Sequence, residues 1–537
     1  MSRLRRFIDK RSTVRMVETP ASDTLSPGRV DRLSSWLFSG ASGPRLVAIC
    51  GFVAFVAVLS VSKIFDDGDT YWHLATGDWI LNHRAIPTTD PFSYTFAGAP
   101  WQAHEWLSEV LMALVFRAGG WSGLAILFAA AVGATALIVA AYLRRWMAPG
   151  PLMVALGFAL ACGAPSLLAR PHLLALPILA AWVAGLIRAR EEGRAPSWGL
   201  APLMLIWANL HGSFILGLAL IGPFALEALV ENRHRLWPTL RAWGLFSLAA
   251  LALALVTPHG VEGLIFPLKV TGMTSLPIIV EWRSADFSKL GVFEIVLLEV
   301  LFLCFWRGVQ VPVVRLLLLL GLLHMALQHV RHQPTFALVA AMLLAQPLVR
   351  AKNRPLEPAL RMEVPWRAAV LAAVVLGLAV FALGAARLAS TIVRVDGVNS
   401  PVSALAAVPP DLARQPVFNT YSFGGYLIFK GVRPYVDGRA DMYGDAFVRR
   451  YFNLNRANAA ALERELEARH VAWTILHPAS PAVAVLDELP GWRRLHADRF
   501  AVVHARISPG ASSLAPGAGG IARPSPSSSP AATPPAD

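Results

Sequence analysis

Charge is scarce in this sequence. Of its 537 residues 15% are Asp, Glu, Lys or Arg and 55% are hydrophobic, with a mean hydropathy of +0.52. A soluble domain carries roughly 25% charged residues, so ordinary soluble composition is excluded and a polytopic membrane protein is expected. Cysteine is almost missing: Cys50, Cys162 and Cys304 all lie inside apolar runs, with no CxxC spacing. That excludes a cysteine-based metal cluster and leaves them as packing residues. Acids are outnumbered, 34 against 48 Lys and Arg, for a net charge of +14. The basic residues fall in short breaks between apolar runs rather than in one patch. Membrane topology explains that pattern, and no nucleic-acid partner is expected. An internal repeat is also missing, which weighs against a transporter built from related halves.

The apolar runs are long. A basic arm, residues 1–45, precedes the first run, 46–65, and keeps the amino terminus cytoplasmic. Its LRRFIDK stretch is faintly like a twin-arginine signal. No apolar segment follows until Leu46, however, and no small-residue cleavage site follows that run, so an uncleaved signal anchor is expected. The next loop is then outside. Further spans are expected at 121–143, 151–168, 171–187, 243–256, 292–306, 311–330, 336–349 and 368–385. A broken or re-entrant pair is expected over 198–230, with its apex near Asn209, His211 and Gly212, and 261–280 is ambiguous. About eleven membrane helices result, with every strong basic break except Arg331 inside. The membrane domain would cover 46–388, with its first outer loop at 66–118. An extracytoplasmic α/β domain is expected over 389–507, with VFNT, GYLIF, PYVDG, VAWTIL and FAVVHA as strands and a helix at 458–470. The tail, 508–537, rich in Pro, Ser, Ala and Gly, is expected to be disordered.

The first outer loop is the stretch around which the chain is organised. Residues 66–109 read DDGDTYWHLATGDWILNHRAIPTTDPFSYTFAGAPWQAHEWLSE. Asp66, Asp67 and Asp69 stand where the chain leaves the lipid, and acids at that depth need a water-filled site, a bound cation or a cationic partner. Trp72, Ala75, Thr76, Trp79, Ile80 and His83 recur at helical spacing, which predicts a short interfacial helix with its tryptophans at headgroup depth. IPTTDPFSYT predicts an ordered turn. A second interfacial helix is expected over 104–117, apolar on one side and carrying Glu105, Ser108, Glu109 and Met112 as a stripe on the other.

Asp67-Gly68-Asp69 is a DxD. Two such carboxylates hold a divalent cation through oxygen, or one acts as a base that the other positions; solvated loop acids are the plain alternative. A carboxylate site at the outer face suits a lipid-linked substrate. His104-Glu105 offers a cation for a phosphate and a further acid at a helix start that favours anions, unless the histidine only caps the helix. Asn209 and His211 are polar at membrane depth and so are functional candidates, unless they bond the broken helix backbone. Arg331 and His332, with Gln328 and His329, gather at the outer end of a span. They suit a phosphate or pyrophosphate, or Arg331 pairs with Glu281 or a loop Asp. Arg170 and His172 are weaker versions of that signal. Asp437, Arg439 and Asp441 in YVDGRADMYG form either a self-bridged turn or a lid or acceptor contact.

A first span ending in a DxD-type loop, interfacial aromatic helices and a downstream His-bearing helix start resemble the GT-C superfamily of integral-membrane glycosyltransferases. The likeness is nearest to its RgtA/B/C/D-like and mannosyltransferase-like bacterial members, over residues 46–385 and most specifically 66–109. The chain also resembles a group of bacterial polytopic membrane proteins sharing the DTYWHLATG and DGRADMYG stretches. The resemblance implies transfer of a sugar from a polyprenyl-phosphate donor to a lipid, glycan or protein acceptor, usually with inversion, on the outer face of a bacterial inner membrane. It implies Asp69, then Asp67, as catalytic base or metal ligand, the metal being Mg, Mn or Ca, and it places His104 where the family handles the carrier phosphate. Two departures stand out: Asp69 precedes Thr70 where the family often has Glu, and His104 precedes Glu105-Trp106 rather than prolines. On this reading Asp69 activates the acceptor and Asp67 assists or binds metal. His104, Glu105, His332, Asn209 and His211 shape the substrate and phosphate site, and Arg331 stabilises the leaving polyprenyl phosphate. Two rival classes predict other things. A transporter or flippase of a lipid-linked anion would carry charges mid-span, and in a non-catalytic assembly subunit the loop acids would be dispensable.

Overall fold

The computed structural model describes residues 43–356, 366–456 and 458–507. The expected basic arm up to residue 42 and the expected disordered tail from residue 508 lie outside the described residues. The helical part runs α1 (Gly43–Leu59), α2 (Asp69–His83), α3 (Trp106–Leu143), α4 (Pro149–Gly163), α5 (Pro171–Glu191), α6 (Ala201–Leu210), α7 (Phe214–Glu231), α8 (Leu236–Ala254), α9 (Gly260–Thr271), α10 (Val292–Arg307), α11 (Val313–Gln328), α12 (Gln333–Val349) and α13 (Trp366–Ala389).

Among the described residues five helices are long and apolar enough to cross a membrane: α3, α4 with the turn that extends it to Ser166, α5, α7, and α8 taken from Arg233. Shorter apolar helices lie at Pro44–Leu59, Trp198–Leu210, Val313–Gln328 and Ala373–Ala389. The first run does not stay helical over 46–65 as expected. Ser60 Oγ donates to Val56 O at 2.8 Å, a local bond that competes with the helix ladder, and a 3-10 turn at Ser62–Phe65 follows. The run 201–231 is broken as expected, with His211 extended between α6 and α7.

The two interfacial helices differ from expectation in how they face. α2 forms, but Trp72 is buried against the protein (8% exposed) rather than facing outward, while Trp79 stacks on His83 at 4.1 Å between ring centres. The second helix and the next span are one element, α3, broken at Gly120 (φ 56°, ψ −146°), a conformation that glycine adopts readily. Its polar stripe is turned inward: Glu105, Ser108, Glu109 and Met112 are buried, while Leu111 and Leu114 are exposed. Deeper charges are paired across helices. Glu227 of α7 accepts from Arg315 Nε of α11 at 3.0 and 3.1 Å, and Arg190 of α5 lies 3.7 Å from Glu227 and 2.5 Å from Glu231.

The carboxy-terminal part adds α14 (Val402–Ala406), α15 (Pro410–Ala413), β1 (Val417–Asn419), α16 (Gly424–Phe429), α17 (Ala440–Leu454), α18 (Ala459–Ala468), β2 (Trp473–Leu476), α19 (Pro481–Glu488), β3 (Trp492–Ala497) and β4 (Val502–Arg506). The sheet order is β1-β2-β4-β3, with β1 parallel to β2 and the other pairs antiparallel. Two expected strands are absent. GYLIF is helix α16, buried from Gly424 to Ile428, and a run buried on every side carries no periodicity that tells helix from strand. PYVDG is not a strand because a side chain replaces the ladder: Asn419 Nδ2 donates to Val436 O and Tyr435 N donates to Asn419 Oδ1, both at 2.8 Å.

Candidate functional site

The acidic loop is pinned from three sides. Ile64 and Phe65 are almost fully buried, and Phe65 and Tyr71 meet Trp121 edge-on at 5.2 and 5.5 Å. From the carboxy-terminal part, Arg394 donates to Phe65 O at 2.9 Å and to the Tyr71 hydroxyl at 3.0 Å, and Asn399 donates to Asp66 O at 3.0 Å. From the start of α5, Ala169 N donates to Ile64 O at 2.8 Å while Thr70 Oγ1 donates to Ala169 O at 3.0 Å. Arg170 follows in extended conformation (φ −122°, ψ 161°), as a residue before proline must. Its side chain is thereby committed to the loop.

Arg170 joins three carboxylates. Its Nε and one terminal nitrogen meet the two oxygens of Asp67 at 2.6 and 2.5 Å, and its other terminal nitrogen lies 3.0 Å from Asp69 Oδ2 and 2.6 Å from Glu281 Oε2. Asp67 also accepts from Thr70 N at 3.2 Å, with the Thr70 hydroxyl oxygen 3.3 Å away. Asp69 Oδ1 accepts from Trp72 Nε1 at 3.0 Å. The two aspartates therefore ionise differently. Burial disfavours the charge on Asp67, but Arg170 outweighs it and holds the carboxyl below its ordinary range. Burial pushes Asp69 up to about 7 against the pull of Arg170, with Asp67 and Glu281 adding to the rise. The Asp69 side chain is 22% exposed, that of Asp67 only 4%.

Arg331 continues the chain of charge: it lies 3.7 Å from Glu281 Oε1, and its guanidinium sits 4.2 Å from the Trp282 ring centre. The ion pair with Glu281 is thus present, and the cation keeps 31% exposure. His332 is beside it, edge-on to Trp282 at 6.3 Å. Burial and the Arg331 charge push that histidine down to about 4, so Arg331 carries the positive charge here.

A second polar cluster lies one helical turn along α2. His73 Nδ1 meets Glu109 Oε1 at 3.0 Å. Glu105 gathers His211 Nε2 at 3.3 Å, His104 Nε2 at 3.5 Å and His73 Nε2 at 3.7 Å. Burial works against the Glu105 charge, but His211 and His104 hold its carboxyl well below the usual range. Burial pushes His73 and His211 down to about 3. His104, which burial alone would lower, is raised by Glu105; it keeps 26% exposure and packs on Phe266 at 4.4 Å. Asn209 is committed elsewhere: it accepts from Trp106 Nε1 at 2.8 Å and donates to Leu205 O at 2.8 Å and Val256 O at 3.0 Å. It holds the break between α6 and α7 and has no amide group left for a ligand.

The carboxy-terminal part closes over Asp69. A Cβ on Gly438 would stand 1.9 Å from Asp69 Oδ1, and one on Gly425 would stand 2.0 Å from Gly68 O. The DGRAD turn is self-bridged and also bonded to the 66–109 loop. Buried Arg439 donates to Asp437 at 2.8 and 2.7 Å and to Asp90 at 2.7 Å, over the ring of Trp101. Tyr421 lies within reach of the Asp69 charge, and burial together with that charge raises its phenol well above its ordinary value; it stays an O–H donor.

A divalent cation at Asp67 and Asp69 meets a difficulty in this donor set. Oxygen ligands must approach such an ion to about 2.0–2.6 Å, and both Asp67 oxygens are already capped by guanidinium nitrogens. Among the described residues no group of three or more His, Cys, Asp or Glu side chains is arranged to hold a metal ion. The residues as they stand do not fit one.

In the sequence Arg170 and His172 give only a weak signal, Glu281 stands out only as a candidate partner of Arg331, and His73 does not stand out. Asp69 and His73 stand four residues apart on one helix face, which was the available signal for His73. Glu281 and Arg170 are far apart in sequence, and no local pattern joins them.

No family model matches the sequence, and no curated protein matches it. Among solved structures the chain is similar to the Archaeoglobus fulgidus oligosaccharyltransferase in the apo form, with a TM-score of 0.50 and 11% identity, over 82% of this chain and 70% of that one. The likeness is one of fold.

Proposed function

We propose that this protein is a GT-C-type glycosyltransferase that moves a sugar from a polyprenyl-phosphate donor to a lipid, glycan or protein acceptor on the outer face of a bacterial inner membrane. About eleven membrane helices, with the amino terminus inside and the α/β domain outside, follow from the positive-inside pattern. The fold shared with an oligosaccharyltransferase supports the reaction class. The observation that carries the reading is Asp69: a partly exposed carboxylate at the outer end of the bundle, aimed by Trp72 and pushed up to about 7, which is where a general base works best at neutral pH.

In this reaction Asp69 takes the proton of the acceptor hydroxyl while its oxygen attacks the anomeric carbon. The bond from that carbon to the phosphate oxygen breaks, and polyprenyl phosphate leaves with the electron pair. Arg331, cationic and open on one side, meets that phosphate. His104, whose proton affinity Glu105 raises, is a further candidate for the phosphate, with His332 beside Arg331. Asp67 holds Arg170 and so sets the position of Asp69. Glu105 fixes His73, His104 and His211. Asn209 and His211 shape the wall behind them.

The test is transfer of labelled sugar from membrane polyprenyl-phosphate lipids by purified protein. A general base contributes about 10²–10⁴ in rate, so Asp69→Asn should lose transfer by that order at unchanged yield and thermal stability. Equal activity in wild type and Asp69→Asn would remove Asp69 as the base, and no transfer by folded wild type would remove the enzyme reading.

A further inference from the structure

The DxD carboxylates are joined by a cation that belongs to the chain. Every nitrogen of the Arg170 guanidinium is engaged: two on Asp67, the third between Asp69 and Glu281. A metal ion on either Asp67 oxygen would have to share that oxygen with a guanidinium nitrogen already at 2.5 or 2.6 Å and would meet the Arg170 charge at close range. The guanidinium cannot easily swing aside. Its backbone is fixed by Pro171, by the Ala169 bonds to Ile64 and Thr70, and by the burial of Asp67, which would otherwise be left charged without a partner. Charge points the same way. Three carboxylates, Asp67, Asp69 and Glu281, face two guanidinium groups, Arg170 and Arg331, so the cluster is neutral with Asp69 protonated and carries one negative charge when Asp69 is ready to accept a proton. A divalent ion would over-neutralise it and draw the base into coordination.

We propose that Arg170 stands in the place of a divalent cation: it is the positioning residue that ties Asp67, Asp69 and Glu281 into one unit, and the wild-type protein takes no divalent metal at this site. The role in catalysis rests on the transferase reading above; the exclusion of metal does not. A guanidinium that fills the site gives a fixed orientation to the base, whereas an exchangeable ion would make that orientation depend on the surrounding metal.

The experiment is a Mn²⁺ titration of the purified full chain followed by electron paramagnetic resonance, where bound ion loses the six-line signal of free Mn²⁺. Wild type should leave that signal undiminished. Arg170→Ala opens the space between the carboxylates and should gain a Mn²⁺ site, which the double variant Arg170→Ala/Asp67→Asn should lose again. A wild-type site abolished by Asp67→Asn, or no gain of a site in a folded Arg170→Ala, overturns the proposal. Should Arg170→Ala fail to fold, as judged by thermal unfolding, the wild-type titration decides alone. Transfer activity gives a second readout: wild type should be indifferent to EDTA, and the pH at which the rate rises should move upward in Arg170→Lys, because a shorter reach weakens the cation's pull on Asp69. A protein that excludes Mn²⁺ yet transfers no sugar would count against the enzyme reading and leave this one standing.

Discussion

Asp67 gives both oxygens to Arg170 and accepts from Thr70, whereas Asp69 holds one oxygen on the Trp72 indole and shares Arg170 with Glu281. Two acids separated by one glycine thus take different parts, one fixed and charged, the other poised to exchange a proton. That glycine and Gly438 let the backbones come together: a Cβ on Gly438 would fall 1.9 Å from Asp69 Oδ1. Asp69 can make room only by loosening its contacts with Trp72 and Arg170. Gly438→Ala should therefore displace the carboxylate. A misplacement of about 1 Å costs roughly 10² in rate, so transfer should fall by about that factor while the thermal midpoint shifts little; an active Gly438→Ala enzyme would show that the turn does not press on the base. The DxD was legible in the sequence at this scale because both acids lie together. Its cation was not, since Arg170 is brought there by the pre-proline geometry at the start of α5, about a hundred residues downstream.

Between elements, the joint that matters is the one between the 66–109 loop and the DGRAD turn. Arg439 is fully buried between Asp437 and Asp90, with the Tyr443 hydroxyl also donating to Asp437. Thr95 Oγ1 donates to Tyr435 O at 2.7 Å beside it. Removing the arginine leaves two buried carboxylates uncompensated, which costs about 3–5 kcal/mol. Arg439→Ala should accordingly release the carboxy-terminal part from the loop, seen as a lower thermal midpoint and as faster proteolysis around residues 390–400; unchanged protection would mean that the remaining contacts suffice. The self-bridged turn was readable in YVDGRADMYG, but its third partner, Asp90, was not, because a loop–loop contact leaves no periodic trace. The same limit explains GYLIF and PYVDG. Their composition is strand-like, yet one is buried all round as a helix and the other has its backbone bonded by the Asn419 side chain.

At the scale of the molecule, apolar periodicity and the basic breaks anticipated the order of helices well, including the broken pair at His211, but not that the second interfacial helix and the next span join through Gly120. Helix lengths were less legible. Apolar composition continues past the point where Ser60 ends α1, and among the described residues five helices rather than about eleven reach spanning length by themselves. The bundle delivers α2, the start of α3, the start of α5 and the turns around Glu281 and Arg331 to one end, where the carboxy-terminal part covers them. In that enclosure burial raises Asp69 to about 7. Its folded value lies above that of a free carboxyl, so protonation disables the base as pH falls through neutrality, while His73 and His211, held near 3, do not titrate there. The measurement that tests the account most directly is the pH dependence of sugar transfer at saturating donor. The rate should climb about tenfold per pH unit below about 7 and level off above it, as for a single base. A rate that is flat from about pH 5.5 to 8.5, or a limb that persists unchanged in the residual activity of Asp69→Asn, would contradict it.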